Sequence, residues 1–138
     1  KEVTEKNSFD YIFMVAAVAD YTPKNYSIDK LKKKDDTLIM ELVKTTDILK
    51  SIISKTTAIK IGFALETNQG ENNALYKLKS KSLDYIILNF ANEEDAGCES
   101  DTNHIYIYSK DGQKQEFKKD TKKRLSEKII SYIIDHES

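Results

Sequence analysis

The feature that most constrains this chain is an uninterrupted apolar run at residues 11–19, which ends at Asp20. The run has the length of one β-strand and is rich in residues that favour strands. A strand without polar alternation is typical of a sheet covered on both faces, as in parallel α/β proteins. The run therefore predicts a buried strand whose carboxyl end is marked by a carboxylate.

Helix and strand patterns alternate after this run. Apolar residues at helical spacing predict helices over residues 48–53 and 71–81. Residues 45–47 supply the chemistry of a helix start, with a threonine as N-cap and Asp47 in the first turn. In the segment 37–43 every second residue is apolar, which predicts a strand with one buried face. The strands predicted after residue 20 are 37–43, 58–64 and 84–88.

The C-terminal part of the chain has the pattern of a hairpin followed by a helix. Residues 104–108 and 113–118 flank Asp111 and Gly112, and Asp-Gly is a strong hairpin signal. Residues 121–135 then repeat apolar side chains at helical spacing. Because the first strand of this hairpin carries apolar side chains on both faces, we also expect the hairpin to mediate self-association.

Together these patterns predict an α/β fold: a Rossmann-like, mostly parallel sheet with flanking helices and a C-terminal antiparallel hairpin. Residues 1–138 show no internal boundary and are expected to form a single domain. In open α/β sheets, ligands bind beyond the carboxyl ends of the strands. The site is therefore expected in the segments 19–36, 46–49, 64–68 and from residue 89 onward.

Composition excludes several classes of protein. The chain has 22 Lys+Arg and 23 Asp+Glu, a formal net charge of −1, so it has no overall field that would attract nucleic acid or an anionic membrane. No apolar run approaches the ~20 residues of a membrane span. The single cysteine, Cys98, excludes an internal disulfide and fits a reducing compartment. We expect a cytoplasmic protein that binds neither nucleic acid nor membrane, and no residue pattern identifies metal ligands.

Two neighbouring segments could carry a binding site. Small residues precede Asp20, so a flat ligand could approach the backbone there, with Asp20 accepting hydrogen bonds or holding a metal. The alternative is tight packing, with Asp20 capping a turn. Residues 21–36 lack periodicity, predict a long loop and contain four lysines at 30–34. Such a loop could close over a triphosphate, although lysine clusters are more often simply solvated.

Two further segments have the same ambiguity. Phe63 follows a strand and could stack on a ring, or it could be a core residue. Lys77 and Lys81 share one helix face and could hold phosphate, although a solvated face is the commoner reason for such a pair. The chain has neither a Walker loop nor a GxGxxG loop, so the standard phosphate-binding fingerprints are absent.

Taken together, these segments resemble the phosphopantothenoylcysteine synthetase family, as the C-terminal part of its synthetase domain. The resemblance rests on an ordered set of motifs, which covers nearly the whole chain: Ala-Ala-Val-Ala-Asp-Tyr at 16–21, Lys-Leu-Lys-Lys at 30–33, Lys-Thr-Thr-Asp-Ile-Leu at 44–49, Gly-Phe-Ala-Leu-Glu-Thr at 62–67, Leu-Asp-Tyr-Ile at 83–86 with Asn89, and Ser-Asp-Thr-Asn at 100–103. Two positions depart from the family pattern. Thr46 replaces a usual proline, and Leu31 replaces a usual isoleucine.

The resemblance implies a site for CTP. In it, Lys30 is the catalytic lysine and contacts the triphosphate, while the other residues bind the nucleotide. Met14, Val15 and Ala16 line the base end, with Asp20 beside them. The segment Thr46, Asp47, Ile48 and Leu49 contacts base and sugar together with Phe63, and Lys77 and Lys81 contact phosphates.

The implied reaction is a CTP-dependent ligation that needs Mg²⁺. The carboxylate of 4′-phosphopantothenate attacks the α-phosphate of CTP to give an acyl-cytidylate, and the amine of cysteine then displaces CMP. The resemblance also suggests a homodimer. The family's Gly-rich opening and the asparagine that handles the intermediate have no counterpart here, so an N-terminal half, and a decarboxylase domain fused in many homologues, are expected to be missing.

Two other functions remain open at this point. A nicotinamide-dependent oxidoreductase would share the α/β pattern, but the absence of GxGxxG counts against it. A non-catalytic nucleotide-binding or assembly module fits an incomplete active site better.

Overall fold

The computed structural model describes residues 8–16, 18–26, 29, 37–53, 55–67, 69–90 and 100–137. The strands in this part of the chain are β1 (Tyr11–Met14), β2 (Tyr21–Pro23), β3 (Leu42–Lys44), β4 (Ile59–Glu66), β5 (Tyr85–Phe90), β6 (Thr102–Ser109) and β7 (Lys114–Thr121). The helices are α1 (Ile48–Ile53), α2 (Gly70–Ser80) and α3 (Lys122–Glu137).

Five strands form the main sheet in the order β1-β4-β5-β6-β7. The pairs β1–β4 and β4–β5 are parallel, and β5–β6 and β6–β7 are antiparallel. The parallel pairs are joined by helical crossovers, and the antiparallel hairpin closes the C-terminal side of the sheet. This arrangement confirms the Rossmann-like α/β fold with flanking helices and a C-terminal hairpin.

The two faces of the sheet bury different sets of side chains, because successive residues of a strand point to opposite faces. Ile61, Ile87 and Ile107 lie on the α3 face and pack with Ile133 of that helix. The other face packs against α2 and buries, among others, Ala64, Ala74, Leu78, Ile86 and Leu88. The centre of the sheet is therefore covered on both sides.

The strand expected at 11–19 is shorter than predicted and is not covered on both faces. β1 ends at Met14, and Val15 is 66% exposed. The physical reason is the place of β1 at the sheet edge, with β4 as its one neighbour in the described sheet. The helices that cover β4 and β5 leave the end of β1 open.

The strand expected at 37–43 is also wrong in its extent and burial. Only Leu42–Lys44 forms a strand, which pairs antiparallel with β2 in a separate two-stranded ribbon. Leu38 is 70% exposed, and Met40 and Leu42 are also exposed. Alternation predicts a buried face only where another layer covers it, and no described element covers this ribbon. β2 also shows that the expected loop 21–36 begins with a strand.

The C-terminal hairpin agrees with its sequence signal. Gly112 has φ 86°, the left-handed conformation that the tight turn needs. Within β6, Ile105 and Ile107 are buried in the core of the α3 face, and Tyr108 is buried on the α2 face. The apolar area that suggested self-association through this strand is thus covered within one chain. No helix in the described part of the chain is long and apolar enough to cross a membrane.

Candidate functional site

A cleft of about 540 Å³ opens where β1 ends. Its walls come from separate parts of the chain: the end of β1 and the loop after it, the segment from β3 into α1, the middle of β4, and the residue that follows α2. Its lining residues are Met14, Ala16, Val18, Ala19, Asp20, Tyr21, Lys44, Thr45, Thr46, Asp47, Ile48, Gly62, Phe63 and Lys81. A cleft beside a parallel strand end is the usual ligand position in open α/β sheets.

Thr45 ties two walls of the cleft together. Its backbone N–H donates to the carbonyl oxygen of Asp20 at 2.9 Å, and its hydroxyl donates to the carbonyl oxygen of Ala19 at 2.6 Å. These bonds join positions 25 and 26 residues apart, at the point where the β2–β3 ribbon meets the sheet. The loop that carries Asp20 is therefore held against the start of α1.

Asp47 begins helix α1. Its Oδ1 accepts a hydrogen bond from the backbone N–H of Lys50 at 3.0 Å, so Asp47 is the N-cap. The expected threonine cap is wrong, because the helix begins at Ile48 and Asp47 therefore occupies the cap position. Asp47 also lines the cleft.

The floor of the cleft is the middle of β4. Met14 pairs with Gly62 in the parallel register, so the end of β1 lies beside the centre of the longer strand. Gly62 is buried, and a Cβ at this position would lie 2.6 Å from Cδ1 of Leu83. The next residue, Phe63, is 37% exposed and lines the cleft. Gly62 thus leaves room for Leu83 behind the cleft, and Phe63 borders both this cleft and an apolar groove between the sheet and α3.

The structure brings most of the expected nucleotide-binding residues to this one cleft. Met14, Ala16, Asp20, Thr46, Asp47, Ile48, Phe63 and Lys81 all line it. Val15 instead lines an apolar groove of about 430 Å³ between the sheet and α3. Lys30, the rest of the 30–34 cluster and Cys98 lie outside the described residues, as does the side chain of Leu49.

Lys77 does not line the cleft. Its Nζ donates to Oε1 of Glu66, which also accepts a hydrogen bond from Asn73 Nδ2 on Oε2 at 2.9 Å. The hydrogen bond from Lys77, helped by that from Asn73, lowers the pKa of Glu66 despite its burial. The ion pair anchors the carboxyl end of β4 to α2, which is a structural role that the i, i+4 spacing of Lys77 and Lys81 does not reveal.

Sequence reasoning missed six lining residues, namely Val18, Ala19, Tyr21, Lys44, Thr45 and Gly62. The most consequential is Lys44, because it adds a cation to the cleft. A usable signal was present, since Lys44 directly precedes the Thr-Thr-Asp of the helix start. The predicted strand 37–43 ended one residue short of it.

The charges on the cleft wall are mixed. Asp20 and Asp47 contribute carboxylates, while Lys44 and Lys81 contribute ammonium groups. The described residues contain no group of three or more His, Cys, Asp or Glu side chains that could hold a metal ion. This arrangement suits a ligand that carries both hydrogen-bond donors and anionic groups, such as a nucleotide.

Known proteins resemble this chain in both sequence and fold. The family described as the DNA/pantothenate metabolism flavoprotein C-terminal domain matches residues 1–136. The chain belongs to this family. The match confirms the resemblance that the ordered motifs indicated.

Curated relatives of the DNA/pantothenate metabolism flavoprotein C-terminal domain extend well beyond this chain. The coenzyme A biosynthesis bifunctional protein CoaBC of Bacillus subtilis (strain 168) is 41% identical over 125 residues, 90% of this chain and 31% of that protein. A cysteine/cysteine sulfinic acid decarboxylase from an unknown prokaryotic organism is 36% identical over 127 residues, 91% of this chain and 35% of that protein. The chain spans about a third of the length of these relatives.

A solved structure of this family agrees with the fold described above. The crystal structure of the C-terminal domain of a coenzyme A biosynthesis bifunctional protein CoaBC has a TM-score of 0.71 and 32% identity. The similarity covers 96% of this chain and 56% of that one.

Proposed function

We propose that the cleft binds CTP and serves a ligase that joins 4′-phosphopantothenate to cysteine in coenzyme A biosynthesis. The proposal is carried by one observation: Met14, Ala16, Asp20, residues 46–48, Phe63 and Lys81 are far apart in sequence but line one cleft. The names of the CoaBC relatives point to the same pathway. The assignment of the step as a CTP-dependent ligation rests on the motif resemblance, and ligand binding and turnover test it.

In this proposal the cleft residues bind and orient the nucleotide. Phe63 and the backbone at residues 14–16 contact the base, Asp20 accepts hydrogen bonds from the nucleotide, and Lys81 faces the phosphates. The substrate carboxylate attacks the α-phosphate, pyrophosphate leaves, and the cysteine amine then displaces CMP to form the amide. A cation held at the phosphates stabilises the negative charge that develops in the first step.

Mg²⁺ is expected to enter with the nucleotide. This ion usually binds through one or two carboxylates plus the phosphates of its substrate, so a dedicated cage of protein ligands is not needed. Asp20 and Asp47 are the carboxylates on the cleft wall that fit this requirement. When bound, the ion neutralises phosphate charge.

Nucleotide selectivity tests the proposal at the level of binding. Calorimetric titration of the chain with CTP, ATP and NADH, each with Mg²⁺, should give the tightest binding for CTP. Equal or reversed affinities for CTP and ATP would overturn the choice of base. Tighter binding of NADH would favour the oxidoreductase alternative instead.

Turnover separates a ligase from a non-catalytic nucleotide-binding module. Because the chain spans about a third of its relatives, we expect it to bind CTP weakly and to make no phosphopantothenoylcysteine by itself. Adding the N-terminal half of the synthetase domain, as a separate polypeptide or in one chain, should produce turnover. Pyrophosphate release by the 138-residue chain alone at roughly 1 s⁻¹ or more would show that the catalytic residues are misassigned.

Lys30 is the proposed catalytic lysine, and its substitution tests the mechanism. In the complete synthetase, Lys30→Ala should raise the activation barrier by about 2–4 kcal/mol, as expected for loss of a group that stabilises developing charge. The melting temperature should stay unchanged. Lys34→Ala, in the same cluster, is the matched control and should retain activity. If the Lys30→Ala variant has normal turnover, the lysines at 30–34 are a solvated surface cluster without a catalytic role.

A further inference from the structure

The two lysines that line the cleft take no part in the ion pairs that hold several other lysines of the described chain. Lys24, Lys60, Lys77, Lys110, Lys114 and Lys128 each hold a carboxylate within ion-pair distance. Within the described residues, neither Lys44 nor Lys81 has a carboxylate partner, and both are exposed to the cleft. Their ammonium groups lie on the cleft wall, where an anionic ligand can contact them.

Lys44 is also held in place by its neighbours in sequence. It is the last residue of β3 and pairs with Tyr21 of β2. The next residue, Thr45, makes the two hydrogen bonds to the backbone of Ala19 and Asp20 described above. The backbone from which the Lys44 side chain extends is thus fixed relative to the loop that carries Asp20, so less freedom is lost when its ammonium group binds a ligand.

We propose that Lys44 is a phosphate-binding residue of the cleft and acts together with Lys81, and that Thr45 is its positioning residue. The proposal rests on the proposed nucleotide function. It replaces Lys77 by Lys44 among the lysines expected to bind phosphate, because Lys77 forms an ion pair with Glu66 while Lys44 lines the cleft. A lysine ammonium binds phosphate as a point charge and donates charge-assisted hydrogen bonds. The ligand class is a nucleoside polyphosphate, and Lys44 recognises its phosphates rather than its base.

Titration of wild-type and Lys44→Gln chains with CTP, cytidine and inorganic tripolyphosphate tests this assignment. A hydrogen bond to a charged group contributes about 1.5–3 kcal/mol, so the variant should bind CTP and tripolyphosphate about tenfold or more weakly. Its affinity for cytidine should change less than about twofold. Lys50→Gln is the matched control, because Lys50 is exposed on α1 and does not line the cleft.

The outcomes separate this proposal from the proposed function. An equal loss for cytidine and CTP, or no loss for CTP, would overturn the role of Lys44 while leaving CTP binding intact. If tripolyphosphate binds in a Lys44-dependent way and CTP binds no more tightly, Lys44 is supported and the CTP assignment fails. A wild-type chain that binds none of the three ligands would overturn both.

The positioning role of Thr45 has its own test. Thr45→Val removes the hydroxyl that donates to Ala19 and keeps the side-chain shape, whereas Thr45→Ser keeps the hydroxyl. Thr45→Val should weaken CTP binding and Thr45→Ser should restore it. In the Lys44→Gln background the effect of Thr45→Val should shrink, and the part that remains is transmitted through the loop that carries Asp20. Fully additive losses would contradict positioning through Lys44.

Discussion

At the residue scale, the carboxylate of Asp84 binds two lysines and a backbone N–H. It is buried at the amino end of β5, where its Oδ2 accepts from the backbone N–H of Lys60 at 2.8 Å and lies 3.0 Å from the ammonium of the same residue. Its Oδ1 accepts from Lys110 Nζ at 2.9 Å. Asp84 therefore links β4, β5 and the hairpin turn at the end of the sheet that is opposite the carboxyl ends of the parallel strands.

The environment of Asp84 makes stability depend on pH. Burial raises the pKa of this carboxyl, but the hydrogen bonds from Lys110 and Lys60 outweigh burial and hold the pKa below its usual value. Because the folded pKa is depressed, this stabilisation is fully present above the unfolded pKa of about 3.9 and is lost as the pH falls through the folded pKa.

Asp84→Asn tests this account. At pH 7 the variant should lose roughly 2 kcal/mol of unfolding free energy, the scale of hydrogen bonds to charged groups. The difference from wild type should narrow as the pH falls below the unfolded pKa of about 3.9 and through the lowered pKa of the folded carboxyl, where Asp84 becomes protonated. Urea denaturation of wild type and variant at pH 7 and at acidic pH measures this difference in unfolding free energy. The control is Asp111→Asn, which removes an exposed carboxylate in the hairpin turn. A difference that is independent of pH would contradict the ionic role.

At the scale of elements, the stability of the hairpin turn depends on the backbone conformation of Gly112 and not on side-chain contacts at that position. A Cβ at Gly112 would meet no atom within 4 Å, but its φ of 86° is unfavourable for residues with a side chain. Gly112→Ala should therefore destabilise the protein by about 1 kcal/mol, and Gly112→Asn by less, because asparagine tolerates this region. Thermal unfolding of both variants measures the effect. An alanine variant as stable as wild type would contradict it.

The same scale shows which parts of the fold the sequence predicts. The hairpin, α2 and α3 carry local signals, namely a turn sequence and helical apolar spacing, and the structure confirms them. Neither the end of β1 nor residues 38–41 behaves as its apolar sequence predicts, because burial depends on whether another layer covers the strand. That information lies in the sheet order, which no local pattern contains.

The residues of the candidate site could be predicted from the sequence to about the same extent as the fold. The ordered motifs located most of the cleft residues, including Asp20, Asp47 and Phe63. The fate of Lys77 was not predictable, because its partner Glu66 lies eleven residues away on a different element. Lys44 stands next to the helix-start motif, but its pairing with Tyr21 in the β2–β3 ribbon is not contained in any local pattern.

At the scale of the whole molecule, homodimerisation stays a prediction that rests on the family resemblance. Light scattering at high protein concentration should give a mass of about twice the 15.8 kDa of the chain. Because Ile105, Ile107 and Tyr108 are already buried within one chain, β6 does not supply the apolar area first assigned to this contact. A monomeric mass at every concentration would contradict the dimer.

The central claim is that this cleft, rather than another surface, binds the nucleotide. Backbone amide chemical shifts of the ¹⁵N-labelled chain, recorded during titration with CTP and Mg²⁺, test it most directly. We predict that the largest changes fall at Ala16, Asp20, residues 44–48, Phe63 and Lys81, with small changes at the hairpin turn. Changes centred on the groove between the sheet and α3, or on no contiguous surface, would contradict the account.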